Sequence, residues 1–458
     1  MTDSVVARGP LAIFKVLKHI VEPPLELDGK LEIDKSLLEN CKPHHRKAVE
    51  LAITDMYGVR HEALIRLPAS WERFLCEKVL NDPRDLRLFL TFLQVTLWLT
   101  ISSAFQLCCL PRDDNRGLWY MLIHLPITWV IMGQRFILAM HYAAHRPLIS
   151  PTKCGKLLSG ALNAFPQLIL SNFFGMPAGT YYVHHCVMHH QANNFFPYDI
   201  SSTMPYQRDK PLHFVAYVLN FMIHTMLYLP FYALRKRRFD IALAVAGCVA
   251  VYLSAFPLIY SYHPVFFINS LAVSFVLGPF ALMLGNYSQH IFVNPDAPQS
   301  NYGLACNHIN APFNMLTFND GYHITHHVSS ITHWSEMPIH FIKHLDKYEE
   351  GGAILFQGIN FDDVTFSVFA GETGLKRLAS KVVQIVPKEK ELSEAQLIAM
   401  FRKRLQPVHT EATKLGGAQV GIFLANEALW CYLSAIGFPG AVMPAIAVPV
   451  FHLLYALA

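Results

Sequence analysis

The sequence predicts an all-α integral membrane fold, with about four transmembrane helices and a cytosolic helical cap in which clustered histidines meet. Three observations carry this expectation. Mean hydropathy is +0.28, with 53% hydrophobic and only 15% charged residues, whereas a soluble chain carries about a quarter charged residues. Six apolar stretches, near 88–110, 117–134, 157–179, 211–234, 241–260 and 264–284, each approach the roughly 20 residues that a bilayer demands. Ten of the 24 histidines fall in four short clusters, each at the polar end of such a stretch.

Four regions follow along the chain. Residues 1–87 are mixed and charged and read as an N-terminal cytosolic region; within them Phe14, Leu17 and Val21 recur at helical spacing with Lys15 and Lys18 between, as in a helix lying on a membrane surface. No apolar signal segment with a cleavage site precedes them. Residues 88–345 hold the apolar stretches and all four histidine clusters. Residues 346–415 form a second cytosolic region, where Ser393 and Gln396 make a capping box that starts a helix running to about Arg404. Residues 416–458 contain two further apolar stretches, 418–434 and 437–457, separated by Pro439 and Gly440, which fit a hairpin or surface helices.

Parity limits how many stretches cross. If all six crossed, the histidine clusters would be split between two compartments, and no single site could form. Pro166, Gln167, Asn172 and Pro177 interrupt one stretch; His213, Asn220, His224 and Pro230 interrupt another. Both suit shallow or re-entrant helices. Four crossings then remain, all clusters share one face, and Arg235, Lys236, Arg237 and Arg238 lie on that face. The positive-inside rule assigns it to the cytosol, with the endoplasmic reticulum as the expected membrane. The net charge of +4 reads as these flanks and not as a nucleic-acid footprint. The nine cysteines show no paired spacing, which argues against a zinc ribbon or a disulfide framework.

The cluster spacings suit shared metal. His141 and His145 are four apart and therefore lie about 40° apart around a helix. Arg135 is expected to mark the membrane interface just before them. His323, His326 and His327 occupy one helical face. In the second cluster His185 and His189 align, while His190 is turned by about 100° and would serve a neighbouring metal. Imidazole-only ligation favours iron, zinc or copper, and nine or ten imidazoles exceed what one ion binds. The cap is therefore expected to hold a di-metal histidine site. Two iron ions would supply activation of O2 as co-substrate against an unactivated C–H bond; zinc has no redox chemistry.

The combined pattern HxxxH, HxxxHH and HxxHH, with a pair of spans between the last two boxes, resembles the membrane fatty acid desaturase and hydroxylase superfamily over roughly residues 88–345. The resemblance implies a di-iron centre held by His141 and His145, by His185, His189 and His190, and by His323, His326 and His327. Asn286 and His290 resemble the pair that precedes the third box in acyl-CoA desaturases, which implies His290 as a direct ligand and Asn286 as a ligand through water. His184 is left as a tenth candidate. The first box reads His-Tyr-Ala-Ala-His, unlike the His-Asp-Cys-Gly-His common in methyl-end acyl-lipid desaturases, and no His-Pro-Gly-Gly haem motif marks a fused cytochrome b5. The electron donor is therefore expected to be a separate protein, cytochrome b5 or a ferredoxin.

Asp320, Asn194 and Asp199 are candidates to orient the imidazoles from behind. Isolated histidines, among them His61, His124, His213, His224, His409 and His452, read as packing residues. The expected activity is O2-dependent desaturation of a fatty acyl chain carried by a lipid or acyl thioester. Hydroxylation of a lipid or alkyl chain on the same scaffold is the nearest alternative. A metal transporter would place its polar groups at mid-bilayer, whereas these lie beyond the span ends.

Overall fold

The computed structural model describes residues 36–57 and 67–408, together with two short strands, β1 (Pro24–Leu25) and β2 (Arg60–His61), which pair antiparallel. The helix expected within residues 10–21 and the apolar stretches 418–434 and 437–457 lie outside the described residues. The described chain is mostly helical. Among the described residues five helices are long and apolar enough to cross a membrane, one more than the parity argument allots.

Helix α1 (Arg46–Tyr57) belongs to the cap. Helices α2 (Pro83–Cys109) and α3 (Asn115–His145) form the first hairpin. Pro126 has no N–H to give to the α-helical ladder, and residues 126–133 adopt π-helical turns before α-helix resumes at Gln134. The helix then runs without a break into His141 and His145. Arg135 on this helix, expected at the membrane interface, is buried, 3% exposed.

The stretch expected at 157–179 gives only α4 (Lys156–Leu168), followed by a single 3-10 turn. This short helix leaves Leu157, Leu158 and Leu162 exposed. Gly175 and Gly278 then meet backbone to backbone. A Cβ on either would collide with a main-chain oxygen, that of Ser274 or of Phe174, so two glycines allow this segment to lie directly against a later span.

Helix α5 (Val183–His189) carries the second box. Helix α6 (Pro211–Arg235) departs from expectation: it is a single uninterrupted helix, with Pro230 accommodated near its C-terminal end, where it removes one ladder bond. Both halves of α6 touch the box-bearing segment. The Tyr217 hydroxyl donates to the Ser201 carbonyl at 3.0 Å, and that of Tyr232 to the Val187 carbonyl at 3.4 Å.

Helices α7 (Phe239–Tyr262) and α8 (Pro264–Gln289) form the second long hairpin. The turns of the two hairpins meet: Arg112 donates to the Ser261 carbonyl at 2.6 Å and lies 5.2 Å from the Tyr262 ring centre. At the opposite end, Ile241, Ala244 and Val245 of α7 share a cavity wall with His145 and Arg146. Trp129 of α3 donates to Ser274 of α8 at 3.2 Å between the two ends.

The cap is completed by β3 (Cys306–Ile309), which pairs parallel with β4 (Ile354–Gln357), and by α9 (His323–Val328), α10 (Met337–Lys343), α11 (Leu345–Glu350), α12 (Phe361–Phe369) and α13 (Glu394–Arg404). Helix α13 begins with the Ser393–Gln396 capping box, reciprocal as expected. Helix α1 packs on α10, and α12 packs on α8. The long hairpins thus present His145 and Gln289 to one end, where the cap closes over them.

Candidate metal centre

Nine histidines converge in two adjoining groups. Donor atoms of His141, His145, His185, His190 and His326 lie within 4.8 Å of one another, as do those of His189, His290, His323 and His327. Every close approach is between Nε2 atoms. His326 is a hub, 2.7 Å from His141, 2.8 Å from His190 and 3.4 Å from His185. His185 stands 2.9 Å from His145 and 3.0 Å from His190. In the second group His323 lies 3.0 Å from His290 and 3.2 Å from His327.

Hydrogen bonding alone cannot satisfy this arrangement. The Nε2 of a neutral imidazole either donates or accepts, so a hub with three nitrogen neighbours leaves lone pairs or N–H groups opposed. A cation between the rings resolves it, and nitrogens bound near 2.1 Å to one ion sit about 3.0–3.4 Å apart. The buried Nε2 of His189 has no hydrogen-bond partner; its ring centre lies about 5 Å from those of His290 and His327, at 5.3 and 5.0 Å. The donor set therefore fits metal, and two groups fit two ions.

The far sides of four rings face oxygen, while among the described residues the buried Nδ1 atoms of His323 and His326 have no hydrogen-bond partner. Three hydrogen bonds hold rings from behind: His189 Nδ1 lies 2.6 Å from Asp199 Oδ2, His290 Nδ1 3.0 Å from the Leu304 carbonyl and His327 Nδ1 3.0 Å from Asn193 Oδ1, while His141 Nδ1 stands 3.3 Å from Asp320 Oδ1, which accepts no hydrogen bond. An Nδ1–H given to an oxygen fixes the tautomer and leaves Nε2 with its lone pair facing inward. Burial first, then the charge that neighbouring rings would carry, pushes His185, His190, His323, His326 and His327 well below the usual histidine value. They are neutral, as ligands must be. Burial alone would raise the Asp199 carboxyl, but the His189 and His184 rings and Ser201 hold it well below the usual carboxylate range.

The pairing of ligands differs from the α-helical reading of the second box. Helix α5 is π-helical, so residues five apart come into line. His185 and His190 therefore share one group, while His189 turns to the other. In the third box His326 joins the first group, and His323 with His327 joins the second. Each box after the first thus contributes to both groups.

The remaining candidates separate. His184 lies in neither group: its Nε2 meets the Ser201 hydroxyl at 2.9 Å, and it clusters with His189 and Asp199. Asn286 uses its amide nitrogen on the Ser201 carbonyl at 3.1 Å and the Tyr217 hydroxyl at 2.6 Å. Asp320 also accepts from Gln289 Nε2 at 2.6 Å. Asn194 touches no imidazole; it ties its loop to Thr203 and gives its N–H to Asp199 at 3.2 Å.

Asp55 escaped the sequence reading. From α1 its Oδ2 accepts from Tyr322 Oη at 2.6 Å, Asn310 N at 2.6 Å and Asn314 Nδ2 at 3.1 Å. Tyr322 immediately precedes His323, so the carboxylate anchors the start of the third box. Burial raises its carboxyl to about 6. The only local sign was an acidic residue on the inner face of an amphipathic helix.

A cavity of about 350 Å³ opens beside both groups. His141 and His185 face it from one, His189 and His323 from the other, and its walls are otherwise largely apolar, with Trp129, Ile137 and Leu138 of α3 opposite Leu282 and Met283 of α8. Against known families, the model described as Fatty acid desaturase matches residues 117–358, more than half of the chain and all nine histidines. No curated protein sequence matches.

Proposed function

This chain belongs to the fatty acid desaturase family and is a membrane oxidoreductase of that kind; on that premise we propose that it introduces a double bond into the acyl chain of a lipid or acyl thioester, with two iron ions and O2. The observation that carries the reading is one apolar cavity touching both imidazole groups. His141, His145, His185, His190 and His326 would hold one ion, and His189, His290, His323 and His327 the other. When bound, the iron pair supplies the redox chemistry that O2 needs to attack an unactivated C–H bond.

The chain's own residues do the rest. Trp129, Leu138 and Leu282 line the space in which a methylene chain would lie, and proximity to the two groups decides which carbons react. Apolar walls exclude water from the reacting carbons. Asp199 holds a proton on Nδ1 of His189, which keeps its Nε2 turned to the centre, and the Asp320 carboxylate stands 3.3 Å behind His141 Nδ1. Asn286, held by Ser201 and Tyr217, borders the cavity, where its amide would act on the centre through water.

Removing two hydrogens from the acyl chain provides half of the electrons that reduce O2 to water, so a separate carrier, cytochrome b5 or a ferredoxin, would provide the other two. In this reading the two hairpins cross the membrane of the endoplasmic reticulum, while α6 lies along the cytosolic face. Its tethers at Tyr217 and Tyr232 support that placement, as do the cations at 235–238. Lipid profiling of a host expressing the protein or its His326→Ala variant tests the reaction. We expect acyl chains two mass units lighter with the wild type only. An added oxygen would assign hydroxylation, and unchanged lipids with a metal-loaded protein would overturn the reading.

A further inference from the structure

A second, smaller set of metal-binding side chains stands away from the nine histidines, at the seam between the N-terminal part of the cap and the helix that follows the third box. His44 Nε2 and His45 Nε2 both point at one oxygen of Glu349 on α11, Oε2, at 3.1 and 3.0 Å. The three donor atoms lie within 4.8 Å of one another. His45 is buried, at 3% exposed, whereas His44 and Glu349 are about one-fifth exposed. Behind His45, Asp346 Oδ1 lies 3.8 Å from Nδ1, on the side where a carboxylate steadies a ligating imidazole.

We propose that His44, His45 and Glu349 form a binding site for a single divalent transition ion of the zinc class. Two imidazoles and a carboxylate are a donor set that such ions take, with solvent free to fill a fourth position. Lys42 stands where cationic charge is wanted, 3.4 Å from Glu349 Oε2 and 2.8 Å from Asp346 Oδ1. Its side chain is half exposed and free to swing into solvent when an ion enters. The ion would staple residues 44 and 45, just ahead of α1, to α11. Helix α1 carries Asp55, so the staple would steady the element that anchors the third box. The proposal is independent of the reaction at the central histidines.

Zinc content of the purified full chain, measured after dialysis against graded zinc chloride, tests the site. The difference between wild type and variant is the reading, so metal at the central histidines cancels. We expect the wild type to hold about one zinc per chain more than His45→Ala or Glu349→Gln, with affinity at this site at least about tenfold weaker in either variant. Glu349→Gln keeps the shape and separates ligation from folding. Lys42→Met should bind zinc roughly tenfold more tightly, because a competing charge is gone. Equal zinc content in wild type and Glu349→Gln, or no tightening in Lys42→Met, would overturn the proposal and leave the cluster an ion pair.

Discussion

The nine clustered histidines and His124, which is buried between the long helices, stand in different surroundings. At the cap, nine rings face other rings through Nε2. Between the spans, His124 faces hydroxyls: its Nδ1 lies 2.8 Å from Ser102 Oγ and its Nε2 3.4 Å from Thr128 Oγ1. Those hydroxyls are engaged in turn by Tyr120 and Gln106 on Ser102, by Trp98 on Thr128, and by Gln106 reaching Ser270 of α8 at 2.8 Å. His124, Ser102 and Thr128 each find a neutral partner here, and the network binds three helices together, although the buried Gln106 Oε1 has none. The cap cluster is incomplete until cations enter. What faces a ring nitrogen, more than burial or location, separates a ligand from a packing histidine.

The largest effect should come from crossing that line. Replacing His185, His323 or His326 with Ala is expected to lower turnover by more than about 100-fold, beyond the 10- to 100-fold typical of groups one shell out, while membrane insertion persists. His124→Asn should keep turnover per metal unchanged and lose about 1–2 kcal/mol of stability, the scale of a disturbed buried hydrogen bond. Activity assays normalised to metal, alongside thermal unfolding, check both. A His124 variant as inactive as His326→Ala would break the comparison.

Groups that touch a ligand from behind should fall between. Asp199→Asn is expected to weaken metal affinity or activity by roughly 10- to 100-fold, because the amide cannot hold the proton on His189 Nδ1 as the carboxylate does. Asn286→Ala should lose about tenfold in turnover while keeping most of its iron. Unchanged turnover per iron would reduce Asn286 to a clamp between α8 and Tyr217.

Asp55 sharpens the comparison at the level of stability. Its folded-state value of about 6 lies above the ordinary 3.8, so the folded chain binds this proton more readily than the unfolded chain. The stability it contributes is complete below about pH 4 and is lost as pH rises through about 6. Asp55→Asn keeps an accepting oxygen for these donors without a titrating proton and should flatten that window in melting curves recorded across pH. Asp55→Ala strands buried donors at about 1–3 kcal/mol each. Wild-type stability that rises from pH 4 to 6 through this group would refute the assignment.

The smallest change, a cysteine tag at residue 237, tests which face α6 occupies. Labelling in sealed membranes is expected from the cytosol at 150, 237 and 350 and from the lumen at 113. Lumenal labelling at 237 alone would mean that α6 crosses.

Much of this was legible along the chain because it is local. Box spacing, span length and the Ser393 capping box involve residues within a few turns of each other, and helical geometry converts such spacing into a shared face. The reading faltered where geometry left the α-helix or where partners are remote. The π-helical turn at 183–189 re-paired His185 with His190, which an α-helical period cannot anticipate. Interruptions in 211–234 suited a shallow or re-entrant helix, and the structure forms one 25-residue helix in which Pro230 falls near the end, where it breaks little. Asp55 meets Tyr322, and His44 meets Glu349, across hundreds of residues, and no periodicity encodes such contacts.

The central claim is that rings facing rings hold two metals and rings facing hydroxyls hold none, and metal content tests it most directly. Iron should be quantified per chain in active wild type, His190→Ala and His124→Asn purified side by side. We expect about two irons in wild type and in His124→Asn, and about one or fewer in His190→Ala, as each five- or four-imidazole group suits one such ion. Wild-type protein fully active with one iron or none, or a His124 variant that loses iron as His190→Ala does, would contradict it.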